Sequence, residues 1–145
     1  MDTLATLSLI DRTLLLKDVP LFGNLAPDDL VQIAQVAQER WLPDGAVLCR
    51  EGEPGDELFV IASGQVQVSR QADGGTQVLA TRQVGEFVGE MAIIEAAPRF
   101  ATVTAQGDTR ALVIGAGSFK AILQDCPEVA LAVMQGLSRR LREQS

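Results

Sequence analysis

One arginine stands out in the stretch from residue 89 to residue 103, which reads GEMAIIEAAPRFATV. Arg99 follows a proline there and lies among residues that are otherwise mostly apolar, small or anionic. A guanidinium stays charged at every accessible pH, so a fold that buries it must bring something negative to it. If FATVTA is a strand, its period of two places Arg99 on the same face as Ala101 and Ala105, whose small side chains leave room for a guest.

The residues just upstream suggest what that guest is. Gly89 precedes a short helical stretch, and the free N–H groups at a helix N-terminus form an anion site. Together with the forked guanidinium of Arg99 they describe a phosphate clamp, and the carboxylate of Glu90 suits the hydroxyl groups of a sugar. The implied guest carries a phosphate and a ribose. The alternative is an internal ion pair of Arg99 with Glu90 or Asp56.

The composition fits one folded domain that does not bind nucleic acid directly. The chain has 145 residues, of which 47% are apolar, and its 12 Lys and Arg stand against 19 Asp and Glu for a net charge of −7. Binding to a duplex needs clustered positive charge. The sequence contains no histidine, the commonest general base and metal ligand, so we expect neither an enzyme nor a metal site.

The two cysteines and the apolar segments indicate a cytoplasmic protein. Cys49 and Cys126 are far apart in the sequence, which favours neither a disulfide framework nor a metal site. No apolar run approaches the roughly 20 residues of a membrane span, and the start lacks the basic region of a signal peptide. We therefore expect a cytoplasmic domain without a membrane segment, although it could be part of a longer protein.

Local patterns predict helices at both ends of the chain and strands between them. Residues 2–18 are typical of a short helix or helical hairpin, and LAPDDLVQIAQVAQER predicts a second helix. From Trp41 to Gly115, short alternating or β-branched runs are separated by turn sequences such as ASG, QADGG and AQGD. This texture is typical of an antiparallel sandwich or barrel. SFKAILQ and PEVALAVMQGLSRRLRE return to helix.

These patterns divide the chain into three segments of a single domain. We expect N-terminal helices over residues 1–40, a β barrel over residues 41–115 and C-terminal helices over residues 116–145. The 89–103 stretch lies inside the β segment.

The chain resembles the cyclic nucleotide-binding domain family, which includes the regulatory subunits of cyclic AMP-dependent protein kinase, the bacterial cyclic AMP receptor protein and cyclic nucleotide-gated channels. The phosphate-binding cassette of that family runs G-E-x-A-(L/I)-(L/I) and then, after a few residues, P-R-x-A-(T/S)-V. The residues that match it here without a gap are Gly89, Glu90, Ala92, Ile93, Ile94, Pro98, Arg99, Ala101, Thr102 and Val103. The glycine pattern of the family also appears, with Gly45, Gly52, Gly55 and Gly64 in register. The resemblance extends over nearly the whole chain.

The resemblance implies an α+β, mainly β, fold: a jelly-roll-like antiparallel barrel of eight strands, flanked by N-terminal helices and a C-terminal helical lid. It implies that Arg99 clamps the phosphate, that the amides of Gly89 and Ala92 add donors, and that Glu90 binds the ribose 2′-hydroxyl. Asp56 falls where some members orient the phosphate-binding arginine, or it is a turn residue. The ligand-binding set implied in this way is Gly89, Glu90, Met91, Ala92, Arg99, Phe100 and Ala101.

Phe100 departs from the family pattern. Members selective for cyclic GMP often carry a threonine at this position, and those selective for cyclic AMP carry a small residue. The absence of that hydroxyl favours cyclic AMP over cyclic GMP. The phenylalanine ring could crowd the ligand, or strand alternation could turn it outward to pack beneath a helix.

The resemblance also implies a mechanism, in which the C-terminal helix moves onto the pocket when the phosphate is bound. The lid candidates are Met134, Leu137, Arg139, Arg140 and Leu141, or these leucines are simply core. The expected function is a regulatory module that senses a cyclic mononucleotide and acts on an effector domain or protein, with a homodimer compatible with the sequence. The alternatives are a degenerate barrel used for protein–protein contact and the sensor fragment of a transcription regulator. An enzyme is the least favoured reading.

Overall fold

The computed structural model of the protein describes residues 6–19 and 22–143. They belong to two compact units, a helical unit within residues up to 37 and from 117 onward, and a β unit of residues 38–116. The helices are α1 (Leu9–Lys17), α2 (Pro27–Val36), α3 (Glu90–Glu95), α4 (Ala116–Asp125) and α5 (Pro127–Glu143). The strands are β1 (Gln38–Leu42), β2 (Val47–Cys49), β3 (Glu57–Ala72), β4 (Gly75–Gln83), β5 (Phe87–Val88) and β6 (Thr102–Gly115). The three-segment division at residues 40/41 and 115/116 stays a prediction.

Side chains of Ser8 and Arg12 cap the start of helix α1 and join the helix to α2. The hydroxyl of Ser8 accepts a hydrogen bond of 3.0 Å from the main-chain N–H of Asp11, as expected of an N-cap. The Arg12 side chain donates from Nε to the main-chain oxygen of Ala34 over 3.1 Å, which joins α1 to α2 within the helical unit. The predicted N-terminal helix started at residue 2, and residues 2–5 of it lie outside the described part of the chain.

Helix α2 starts where the sequence indicates and ends earlier than predicted. Pro27 occupies the first helical position, and the buried stripe consists of Leu30, Ile33 and Ala34. The helix ends at Val36, whereas the predicted helix continued to residue 40. The last residues of that prediction belong to β1 instead, because Gln38 to Leu42 pair with β6.

The six strands that the described residues form make one antiparallel sheet in the order β1-β6-β3-β4, in which β2 also pairs with β6 and β5 with β3. The sheet is not closed, and the predicted eight-stranded barrel is not confirmed. The reason lies in β3 and β6, which have 16 and 14 residues and each take the place of two predicted strands. The predicted turns ASG and AQGD lie inside them, where Gly64 and Gly107 have φ values of 81° and 76° and the pairing shifts register near Ser63.

The core of the β unit lies against the inner residues of β3 and β6. The buried residues that form this cluster are Leu42, Cys49, Phe59, Ile61, Val66, Val88, Val103, Ala105, Ala111 and Val113. The predicted hairpin at QADGG is confirmed, since Ala72 pairs with Gly75 across a two-residue turn.

Helix α5 buries a narrow stripe, formed by Val129 and Val133. The face predicted to be apolar includes Met134 and Leu141, which are 59% and 68% exposed. None of the described helices is long and apolar enough to cross a membrane.

Candidate functional site

The Arg99 side chain lies in the interior and is held by main-chain oxygens. Its relative exposure is 8%. One terminal nitrogen, Nη1, donates to the oxygen of Gly89 and the other, Nη2, donates to the oxygen of Glu57, each over 3.0 Å. Both acceptors are neutral, so these two hydrogen bonds orient the guanidinium without cancelling its charge. The arrangement gives the interior of the β unit a fixed positive group.

The main chain of the arginine is fixed as well. The N–H of Arg99 donates to the oxygen of Glu53 over 2.8 Å, and the N–H of Gly52 donates to the oxygen of Arg99 over 2.9 Å. This pair of bonds ties the segment before β6 to the loop before β3. Arg99 is therefore anchored at its backbone and at the tip of its side chain.

Two glycines allow this close packing. A β-carbon at Gly55 would overlap the Nε atom of Arg99, and one at Gly89 would lie 2.7 Å from the Glu57 oxygen and 2.8 Å from Nη1. Gly89 also has a φ of 95°, which favours glycine. The sequence analysis named Gly55 only as part of the family's glycine pattern and did not predict its contact with the arginine. Its signal was the match to the glycine pattern.

Gly89 caps the short helix that the sequence predicts. Helix α3 begins at Glu90, whose side chain is 3% exposed, and Ala92 is 4% exposed. Met91 lies in the same helix, and its side chain is outside the described part of the structure. The structure therefore brings Gly89, Glu90 and Arg99 together in the β unit. Their roles toward a ligand stay predictions.

The residues after Arg99 alternate between the interior and the surface. Ala101 and Ala105 are buried with exposures of 7% and 2%, as the period of two predicts, although β6 itself begins only at Thr102. Phe100 is 46% exposed, and the guanidinium carbon of Arg70 lies 4.2 Å from the centroid of its ring. The ring thus packs against an arginine of β3, a contact that the sequence did not indicate. Its role as a ligand contact stays a prediction.

Asp56, the residue expected to orient the arginine, is exposed. Its main-chain oxygen accepts a hydrogen bond of 2.7 Å from the N–H of Ala116. Its orienting role stays a prediction, and the two side-chain hydrogen bonds described above for Arg99 go to Gly89 and to the neighbouring Glu57. Sequence reasoning missed Glu57.

The carboxylate of Glu57 makes a two-point ion pair with Arg40 of β1. The Nη1–Oε1 and Nη2–Oε2 distances are 3.1 and 2.9 Å. The hydrogen bond from Arg40 holds the pKa of Glu57 below its ordinary value, and the charge of Arg99 adds to this effect. The same hydrogen bond raises the pKa of Arg40, so both partners are charged at neutral pH.

The pKa of the Cys49 thiol reflects both the burial of this region and the charge of Arg99. Burial raises the pKa of its thiol to about 11, and the nearby charge of Arg99 opposes this rise in part. The thiol is therefore neutral at physiological pH and acts as a small apolar side chain. Within the described residues, no group of three or more acidic, Cys or His side chains could hold a metal ion.

The lid candidates lie on α5, in the helical unit. Met134, Arg139 and Leu141 are exposed, and Leu137 and Arg140 are half-buried. Their role in closing over a ligand stays a prediction.

Comparisons with known proteins match this arrangement to one family. The family model described as cyclic nucleotide-binding domain matches residues 39–126, more than half of the chain. A cyclic nucleotide-gated potassium channel of Mesorhizobium japonicum is 39% identical over 77% of this chain and 30% of its own length. A cyclic AMP receptor protein of Thermus thermophilus is 34% identical over 88% of this chain and 60% of its own length.

The solved structures agree. The crystal structure of a catabolite activator protein of Thermus thermophilus superposes with a TM-score of 0.80 at 34% identity, over 86% of this chain and 59% of that one. The chain thus spans about a third to three fifths of the length of the curated relatives quoted above.

Proposed function

Because the chain belongs to the cyclic nucleotide-binding domain family, we propose that it is a sensing module for a cyclic mononucleotide, with cyclic AMP as the preferred ligand. The observation that carries this proposal is the buried guanidinium of Arg99, oriented by two neutral oxygens at 3.0 Å. A positive group fixed in the interior is suited to an anion that enters without its hydration shell. The exocyclic phosphate of a cyclic nucleotide is such an anion.

The residues around Arg99 supply the remaining contacts in this proposal. The main-chain amides of Gly89 and Ala92 donate to the phosphate, and Glu90 accepts from the ribose 2′-hydroxyl. Met91 and Ala101 border the ligand. The burial of Glu90 at 3% exposure supports its part, because it places in the interior of the β unit a carboxylate, a group suited to accept hydrogen bonds from sugar hydroxyls.

The preference for cyclic AMP rests on two observations. Phe100 supplies no hydroxyl at the position after the arginine. A relative that is 34% identical over 88% of this chain is named for cyclic AMP. Cyclic GMP is the weaker ligand in this proposal.

Occupancy of the site is passed on by movement of α5 in the proposed mechanism. A ligand shifts a conformational equilibrium only if it binds one state more tightly than the other. The exposed apolar side chains of α5, Met134 and Leu141, are groups that could become covered in the bound state. The effector is a partner or an attached domain, since the relatives quoted above extend well beyond the matched region.

Calorimetric titration of the protein with cyclic AMP and cyclic GMP tests the proposal. We expect binding of both with the tighter constant for cyclic AMP, and Arg99→Ala should cost about 2 to 5 kcal/mol of binding free energy, as when one partner of a desolvated charge pair is removed. Arg110→Ala is the matched control, because Arg110 is another largely buried arginine of the β unit, paired with Glu39 at 2.9 Å. Its affinity should stay near that of the wild type. Absence of binding by the wild type, or an unchanged affinity of Arg99→Ala, would reject the proposed site.

A further inference from the structure

Glu57 is joined to two arginines by different groups. Its carboxylate pairs with Arg40 at both oxygens, with distances of 3.1 and 2.9 Å. Its main-chain oxygen accepts the 3.0 Å hydrogen bond from Nη2 of Arg99. One residue therefore links a partly exposed ion pair to the buried guanidinium.

The position of this residue decides where the Arg99 guanidinium can lie. Glu57 is the first residue of β3, and Gly55, two residues before it, packs so closely on Arg99 that a β-carbon there would overlap Nε. Gly89, which supplies the other acceptor, is packed on the same guanidinium, because a β-carbon added there would lie 2.8 Å from Nη1. A displacement of the start of β3 would move one of the two acceptors and the surface on which the guanidinium packs.

Arg40 holds the start of β3 from a strand that is not its neighbour. Strand β1 pairs with β6, and β6 pairs with β3, so the Arg40–Glu57 pair spans the intervening strand. The guanidinium carbons of Arg40 and Arg99 lie 5.8 and 6.0 Å from the centroid of the same ring, that of Phe59. A bidentate pair fixes direction as well as distance, which a single contact does not.

We propose that the Arg40–Glu57 ion pair is a positioning element of the phosphate clamp, which holds the start of β3 so that the Glu57 main-chain oxygen keeps the Arg99 guanidinium aimed at the ligand. Neither residue touches the ligand in this proposal. It rests on the proposed function, since the measured quantity is the affinity for cyclic AMP.

The variants Arg40→Gln and Glu57→Gln test the inference by titration with cyclic AMP. Each should lower the affinity about tenfold, by analogy with the lower end of the range for loss of a partner that orients a metal ligand. Arg40→Lys keeps the positive charge but loses the two-point pairing of the guanidinium with Glu57. Its affinity for cyclic AMP should therefore lie between those of Arg40→Gln and the wild type. The matched control is Glu39→Gln, which removes the 2.9 Å pair with Arg110 from the adjacent position of β1.

The control separates positioning from stability. The Glu39 and Arg110 side chains are 8% and 17% exposed, against 34% and 41% for Glu57 and Arg40, so loss of the control pair should reduce the melting temperature at least as much. Its cyclic AMP affinity should nevertheless stay within about twofold of the wild type, because Glu39 pairs with Arg110 of β6 and not with Glu57, which supplies an Arg99 acceptor.

A measurement without ligand gives the second readout. In ¹H–¹⁵N spectra, the Arg99 side-chain Nε–H signal, assigned by its loss in Arg99→Lys, should shift in Arg40→Gln and Glu57→Gln but not in Glu39→Gln. Wild-type protein that binds no cyclic AMP would overturn the proposed function alone, since this signal would still report the positioning. Wild-type binding with equal losses in all three variants, or with none, would overturn the positioning role.

Discussion

The Arg99 guanidinium lies among main-chain atoms that approach it more closely than a β-carbon would permit. Gly55 packs on its Nε and Gly89 on its Nη1, while the oxygens of Gly89 and Glu57 accept its hydrogen bonds. Because these two oxygens are neutral, the hydrogen bonds that orient the group do not cancel its charge. The absence of a β-carbon at Gly55 and Gly89 therefore leaves the space that the guanidinium occupies.

Gly55→Ala should reduce ligand binding without a comparable loss of stability. The atoms that the new β-carbon would meet belong to the far end of the flexible Arg99 side chain, which can move away. The fold then tolerates the methyl group, but the guanidinium leaves its acceptors. We expect at least a tenfold weaker affinity for cyclic AMP by titration calorimetry, with a melting temperature within a few degrees of the wild type, about 1 kcal/mol at most.

Gly115→Ala is the control for this prediction. A β-carbon at Gly115 meets no atom within 4 Å, and like Gly55 this residue is outside the left-handed region. Its affinity and stability should both match the wild type. A Gly55→Ala protein that binds cyclic AMP as tightly as the Gly115→Ala protein would show that the close packing is not needed.

Strands β3 and β6 show where local sequence patterns stop being informative. The start of α2 and the hairpin before β4 follow from neighbouring residues, Pro27 in one case and Asp73-Gly74 in the other, and both were predicted. Gly64 lies in a sequence typical of a turn, yet the chain continues as one strand there because the whole of β6 is available to pair with it. Such pairing depends on residues more than 40 positions away, and a local pattern does not contain it.

The features of the candidate site likewise divide into those that a local sequence pattern predicts and those that it does not. Strand alternation placed Arg99 and Ala101 on the same face, and the match at Gly89 and Glu90 followed from a contiguous motif. The Arg40–Glu57 pair did not, because these residues lie 17 positions apart on strands that only β6 connects. A contiguous motif identifies the candidate ligand contacts, whereas an ion pair between distant strands leaves no such local signal.

Gly64→Ala should destabilise the β unit more than Gly107→Ala. Both glycines have positive φ values, 81° and 76°, so an alanine is strained at either position. At Gly64 the β-carbon would also lie 2.6 Å from the main-chain oxygen of Asp108, whereas at Gly107 it meets nothing within 4 Å. We expect losses of about 1 kcal/mol for Gly107→Ala and about 2 to 4 kcal/mol for Gly64→Ala in urea unfolding. Equal losses would mean that the register shift near Ser63 does not depend on the close approach.

The chain contains its candidate ligand contacts in one compact unit and its candidate moving helix in the other. Arg99, Gly89 and Glu90 belong to the β unit, and α5 belongs to the helical unit. A sensor of the proposed kind must therefore couple the two units, and that coupling is a free-energy difference between bound and unbound states. The match to the cyclic nucleotide-binding domain family supports the proposal that the two units are coupled. A measurement on the full chain can test it.

Hydrogen exchange with and without cyclic AMP measures that coupling directly. If α5 is the moving part, its amides between Pro127 and Glu143 should exchange several-fold more slowly in the bound protein, because a helix held in one state opens less often. Helix α2 of the same unit is the internal control, and the main-chain amides of its buried residues should exchange at an unchanged rate. Arg99→Ala at the same nucleotide concentration should abolish the slowing in α5. Normal binding heat with unchanged exchange throughout α5 would mean that this helix does not carry the signal.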